Sequence, residues 1–223
     1  MQGPSHLLVS WYFADAAGVA SPRDRRIVAW AGLMPDVDVL AYAAALVYYR
    51  FDKDLAFENV WQVIHHRYTH GMTFVMLTGI VAWWLAARSP ARARVALLAV
   101  IASAAHNFFD VVAGGPTWPV YPYWPVSDLP VGAAWSWTIG EWPNVAILLA
   151  CLAGMLIYAK IAGRSPLECF GDRADGWLVR TVRQGSAGAG ATARRGATRW
   201  IIWLAVALGA VAVLAPLGFN PFG

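Results

Sequence analysis

Four long apolar runs dominate the hydropathy of the chain: Met72 to Ala87, Val95 to Ala113, Val145 to Ala162 and Trp200 to Gly218. A helix that crosses a bilayer needs about 20 mostly apolar residues, and each run approaches that length. A fifth run, Ile27 to Tyr49, is long enough but is interrupted by Pro35, Asp36 and Asp38. Ahead of it, Ser5 to Gly18 is too short to cross straight and reads as a half-crossing or re-entrant helix. The pattern predicts an all-α, polytopic transmembrane helical bundle of about five spans plus a short N-terminal helix. Three parts are expected: a membrane-embedded part over 1–163, a basic loop and linker over 164–199, and a C-terminal span over 200–223. Gly185 to Gly196, rich in Gly, Ala, Ser and Thr, has linker composition.

Composition agrees. Apolar residues make up 59% of the chain and charged residues 13%, about half the usual charged share of a soluble domain. The Lys and Arg residues orient the bundle. Of the 17, 14 lie before the first span, between the second and third, or between the fourth and fifth. Cytoplasmic loops carry this excess. The loops at 51–71 and 114–142 are therefore expected on the extracytoplasmic face of the cell inner (plasma) membrane. The basic residues cluster between spans and form no stripe with interleaved aromatics, so nucleic acid is not an expected partner. Cys151 lies in an apolar run and Cys169 in a basic loop; neither carries a catalytic motif and no disulfide is expected. The N-terminal segment lacks a basic leader and is interrupted by Asp15, so it is expected to be retained. The loop at 114–142 holds Trp118, Tyr121, Tyr123, Trp124, Trp135, Trp137 and Trp142. Such aromatics form a headgroup belt, or here a lid over an amphiphile site.

Against this apolar background the polar residues stand out. His106 and Asp110 are four apart in a span and share a helix face. Ionisable groups there cost roughly 2.5–3.5 kcal/mol each on insertion scales. They either fasten helices to each other or bind something. His65, His66 and His70 fall within six residues. If that stretch is helical, His66 and His70 share a face, as in two-histidine metal motifs; otherwise it is an interfacial loop. Pro35-Asp36-Val37-Asp38 places two carboxylates in an apolar run, as a helix cap or as ligands for a divalent cation. His6 opens the N-terminal helix, as an interfacial residue or a further ligand. Together His6, Asp36, Asp38, His65, His66, His70, His106 and Asp110 give eight candidate ligands, enough for one or two ions, with zinc suited to imidazole. Two adjacent metals commonly hydrolyse phosphoesters. Asp36, His70, His106 and Asp110 are the first choice as ligands. Asp38 is a candidate bridging ligand or general base, and Arg67 a phosphate holder or an interfacial anchor.

In this order, the motifs resemble the YdjM-like family of membrane-bound metal-dependent hydrolases. The similarity runs from Ser5-His6 through Pro35-Asp36-Val37-Asp38, His65 to His70 and His106 to Asp110. It ends at Gly115-Pro116 and Trp124-Pro125, just over half the chain. Val39 and Gly71 stand where the family often has a histidine and a serine. By spacing from His70 the family's first histidine is His65; by adjacency to Arg67 it is His66. The resemblance implies hydrolysis, and membrane depth points to a lipid or another amphiphilic phosphoester as substrate. The rival classes are an ion or small-molecule transporter and a non-catalytic metal-binding membrane protein. Intramembrane His and Asp also mark ion paths, but no internal repeat of the transporter kind is present. Oligomeric state is not legible in the sequence.

Overall fold

The computed structural model describes residues 1–184, and every regular element in them is helical. The linker expected at 185–196 and the span expected at 200–218 lie outside the described residues. The chain divides into two compact units, one of Met1 and Gly3–Ile139, the other of Gln2 and Gly140–Gly223.

In the first unit, α1 (Gly3–Ala16) is the short N-terminal helix. α2 (Pro22–Leu33) starts on Ser21, whose hydroxyl accepts from the Asp24 amide, with Pro22 in the first turn where its missing N–H costs nothing. At Pro35 the helix does not break. It tightens into a 3-10 stretch, Met34–Asp38, and continues as α3 (Val39–Tyr48). A 3-10 turn accommodates proline inside a span by shifting its backbone bonds locally. After α4 (Lys53–Ala56), a π-helical stretch and α5 (Gln62–Ile64), the chain turns through 65–71 into α6 (Met72–Leu85) and then α7 (Arg92–Ala113).

Three helical stretches of the described residues are long and apolar enough to cross a membrane: Pro22–Tyr48, Arg92–Ala113 and Trp142–Ala162. α6 is shorter, 14 residues, or about 21 Å at 1.5 Å per residue. Its outer face is bare of protein, with Ile80 64% and Trp84 71% exposed. In water such a face would be an interaction patch; in a bilayer the lipid covers it.

α2 packs between α1 and α7, and α6 lies along α7. Small residues set these crossings. A Cβ on Gly32 would lie 1.9 Å from Ser10 Oγ, and one on Gly79 would lie 2.3 Å from Val100 Cγ2. The core between the helices is built from Ala14, Val28, Val95, Leu98 and Ala102. Arginines finish one end of the bundle by donating to carbonyls in the last turn of α6 and in the turn that follows α1. Arg25 reaches Val19 O (2.8 Å) and Ala20 O (2.9 Å), Arg92 reaches Trp83 O (2.7 Å), Arg23 reaches Leu85 O and Arg94 reaches Ala17 O. Cationic side chains satisfy both the orphan carbonyls and the negative helix end.

The second unit holds α8 (Trp142–Ala162) and α9 (Asp172–Gln184). α8 ends on Gly163 in the left-handed region, φ 70°. Ser165 then accepts from the Leu167 amide and opens the short turn Pro166–Phe170 that leads into α9.

Candidate metal centre

Four segments far apart in sequence deliver their polar side chains to the end of the first unit away from the arginines. α1 supplies His6, the 3-10 stretch supplies Asp36, the turn at 65–71 supplies His70, and α7 supplies His106 and Asp110. His6, His70, His106 and Asp110 are all at most 3% exposed. One ligand atom from each of Asp36, His70, His106 and Asp110 lies within 4.8 Å of all the others. His106 Nε2 is 2.9 Å from Asp110 Oδ2, 3.2 Å from His70 Nε2 and 3.5 Å from Asp36 Oδ1, while His70 Nε2 is 3.3 Å from Asp110 Oδ2. Zinc–ligand bonds of about 2.0–2.1 Å in a tetrahedron put ligand atoms roughly 3.3 Å apart, so these separations match the edges of such a site.

The protons point the same way. His106 Nδ1 is 2.7 Å from Gly32 O, an atom that only accepts, so Nδ1 carries hydrogen and Nε2 is the ring nitrogen that faces the carboxylates. Thr69 donates its hydroxyl to Asp38 Oδ2 at 2.8 Å, which leaves its oxygen to accept from His70 Nδ1 at 3.2 Å. His70 Nε2 is then also a lone-pair atom. Two such nitrogens face each other beside two carboxylates. Asp110 Oδ2 is buried and has no aligned hydrogen-bond donor. Buried acceptors gathered in one place are costly unless a proton or a cation is shared among them, and this donor set fits a divalent cation.

His65 and His66 extend this arrangement, and with His70 they form a second group of converging nitrogens. His65 Nδ1 lies 3.1 and 3.0 Å from the two oxygens of Asp38, leaving Nε2 free. His66 Nδ1 donates to Trp118 O at 3.3 Å, and its Nε2 is 3.9 Å from Asp110 Oδ2. Burial pushes His66 well below the ordinary imidazole range, and His70 and His65 push the same way. Burial also lowers His70, against the pull of Asp110. Neutral imidazole is the form that binds metal.

Several placements differ from what the sequence predicts. The stretch 65–70 is a turn, not a helix. His66 sits at φ 64°, a left-handed conformation uncommon outside glycine that persists where surroundings over-determine it. His66 and His70 therefore meet through a reversal of the chain rather than along a helix face. Asp38 is outside both converging groups and instead holds His65 and Thr69. His6 is likewise outside them. Its ring stacks on His106 at 3.6 Å, and its Nε2 takes the other oxygen of Asp110 at 3.1 Å, which the Met1 amine also contacts. Arg67 points away to the loop, its guanidinium 4.7 Å over the Tyr121 ring and 3.9 Å from Asp128.

Asn107 and Trp61 join the site without a sequence signal, whereas Trp118 belongs to the aromatic loop. Asn107 donates to His70 O at 2.6 Å, and Trp61 stacks on His65 at 3.9 Å. Trp118 is the loop aromatic that roofs the histidines, 5.6 Å from both His65 and His66. Tyr123 and Trp135 stay exposed.

The family model described as YdjM inner membrane protein matches residues 1–217, and the chain belongs to that family. The match reaches well past the Ser5 to Pro125 stretch that carries the motifs. Neither the curated proteins nor the solved structures contain a match to the chain.

Proposed function

We propose that this inner membrane protein is a metal-dependent hydrolase acting on a phosphoester. Asp36, His70, His106 and Asp110 hold a divalent cation, zinc being the best fit to their chemistry. The observation that carries the proposal is the set of 2.9–3.5 Å separations among ligand atoms of three buried residues, His70, His106 and Asp110, and the partly buried Asp36. When bound, the cation supplies Lewis acidity toward a phosphoryl oxygen and lowers the pKa of an attacking water. The chain's own residues do the rest. His106 and His70 are locked by Gly32 O and Thr69 into the tautomer that a cation requires. His6 steadies Asp110 from the opposite oxygen. His65, its Nδ1–H held by Asp38, presents Nε2 as the proton acceptor, so Asp38 acts through His65, in the manner of a carboxylate that orients a catalytic histidine. The metal count decides this last role: one ion per chain leaves His65 as the base, whereas two ions make it a ligand of the second, with His66 and His70. The concentration of arginines at the opposite end supports an extracytoplasmic site.

The test is metal analysis of purified protein together with hydrolysis of p-nitrophenyl phosphate. Zinc should copurify, chelation should abolish turnover and zinc should restore it. His106→Ala and Asp110→Ala should each lose metal and activity while the protein still inserts, because removing a polar group from a span eases insertion. A chain that hydrolyses the ester equally well after chelation would refute the proposal. One that binds zinc but hydrolyses nothing would be a metal-binding protein of another kind.

A further inference from the structure

The helix contacts around α1 are unequal. Against α2 it packs so closely that Gly32 leaves no room for a methyl group beside Ser10. Against α7 it leaves an open crevice of about 180 Å³. The crevice walls come from one face of each helix: Val9 and Phe13 on α1, Ile101, Ala105 and Phe109 on α7. Its floor is Ser10 and Ala102. The small side chains Ser10, Ala102 and Ala105 would allow the helices to close, as glycine does at the α1–α2 and α6–α7 crossings, yet here the gap stays open. Phe13 and Phe109 stand at its sides rather than filling it.

One end of the crevice is chemically different from the rest. His6 and His106, stacked ring on ring, form it. From His6 to Phe13 is seven residues, or about 10 Å of helix axis. The result is an apolar slot of that length, at the depth of a membrane-spanning helix, that ends on the candidate metal centre. A water-soluble ester would gain nothing from such walls. The molecule whose two ends match this slot is an amphiphile with a hydrocarbon tail and an anionic head.

We propose that the crevice between α1 and α7 receives an acyl chain of a membrane phospholipid, entering sideways from the bilayer, with its phosphoester brought to the His/Asp cluster. The inference rests on the hydrolase reading for the statement that the lipid is a substrate; occupancy of the crevice is separable from turnover. A second crevice, of about 190 Å³, lies between α7 and the loop near Pro122 and Val131, and is lined by Met72 and Phe108. It does not reach Asp36, His106 or Asp110, so it is the natural internal control.

The experiment uses the full chain, zinc-loaded, in nanodiscs that contain phosphatidic acid with a diazirine in its acyl chain. After irradiation, peptides carrying Val9 to Phe13 and Ile101 to Phe109 should be labelled several-fold more than those carrying Ile80 and Trp84, which face open lipid. Ala105→Trp and Ala102→Leu, which fill the slot from two positions, should each erase that excess while zinc content persists. Equal labelling of the crevice and of the α6 face would overturn the proposal, as would labelling concentrated on Met72 and Pro122. The distribution in the unmodified chain decides even if a filled variant fails to fold. Labelling of the crevice in a protein that hydrolyses neither phosphatidic acid nor p-nitrophenyl phosphate would uphold the lipid site and remove the hydrolase reading.

Discussion

Exchanging the hydroxyl of Thr69 for a methyl group would test how the candidate centre is tuned. Thr69 relays Asp38 to His70, and through that bond it decides which nitrogen of His70 carries the proton. Thr69→Val keeps the shape and removes the relay. Outer partners of this kind are worth about 10–100-fold in metal affinity. Competition with a chromophoric chelator should therefore show zinc affinity lower by about that factor, and Thr69→Ser should restore it. An unchanged affinity in Thr69→Val would mean that His70 is oriented by packing alone. The clustered residues Asp36, His70, His106 and Asp110 were legible in the sequence because an ionisable group in an apolar run is an expensive anomaly. Thr69, Asn107 and the carbonyls of Gly32 and Trp118 were not, because threonine, asparagine and backbone oxygen are unremarkable anywhere in a chain.

For whole elements, apolar period and length predicted the helices well. α1, the continuous stretch from Pro22 to Tyr48, α7 and α8 all lie where the hydropathy places them. Whether 65–70 is a helix or a loop was open in the sequence, because its conformation comes from distant contacts. Tyr121 donates its amide to His66 O at 2.9 Å, and a Cβ on Gly71 would come within 2.7 Å of Trp124 O. No local propensity records either. The same consideration ranks the glycines. Replacing a helical glycine by alanine ordinarily stabilises by about 1 kcal/mol. At Gly32 the added methyl would meet Ser10 Oγ at 1.9 Å and Cβ at 2.6 Å, so no rotamer relieves the clash. Overpacking of that sort costs about 1–3 kcal/mol, and it outweighs the propensity gain. Gly32→Ala should lower the thermal midpoint in detergent and also reduce bound zinc, since Gly32 O holds His106. Adding Ser10→Gly should recover part of both losses.

The first unit has two chemically distinct ends, and their orientation in the membrane can be measured. Arginines close one end and the His/Asp cluster occupies the other. A reporter fused after Pro125 should behave as extracytoplasmic, because the basic residues hold their end in the cytoplasm. A cytoplasmic signal would place the candidate centre in the other compartment. The boundary between the two compact units, at 139/140, falls within the outer loop at 114–142. One feature of the site also bears on how the protein is made. His6 and its partner Asp110 are 104 residues apart. At about 5–20 residues per second, a ribosome needs on the order of 5–20 s to travel between them. During that interval His6 has been made but the helix that completes the cluster has not. If the cluster takes up a cation as proposed, its loading is the closing event of biogenesis, and a cell short of metal would accumulate inserted but unlatched chains, the form that membrane proteases remove.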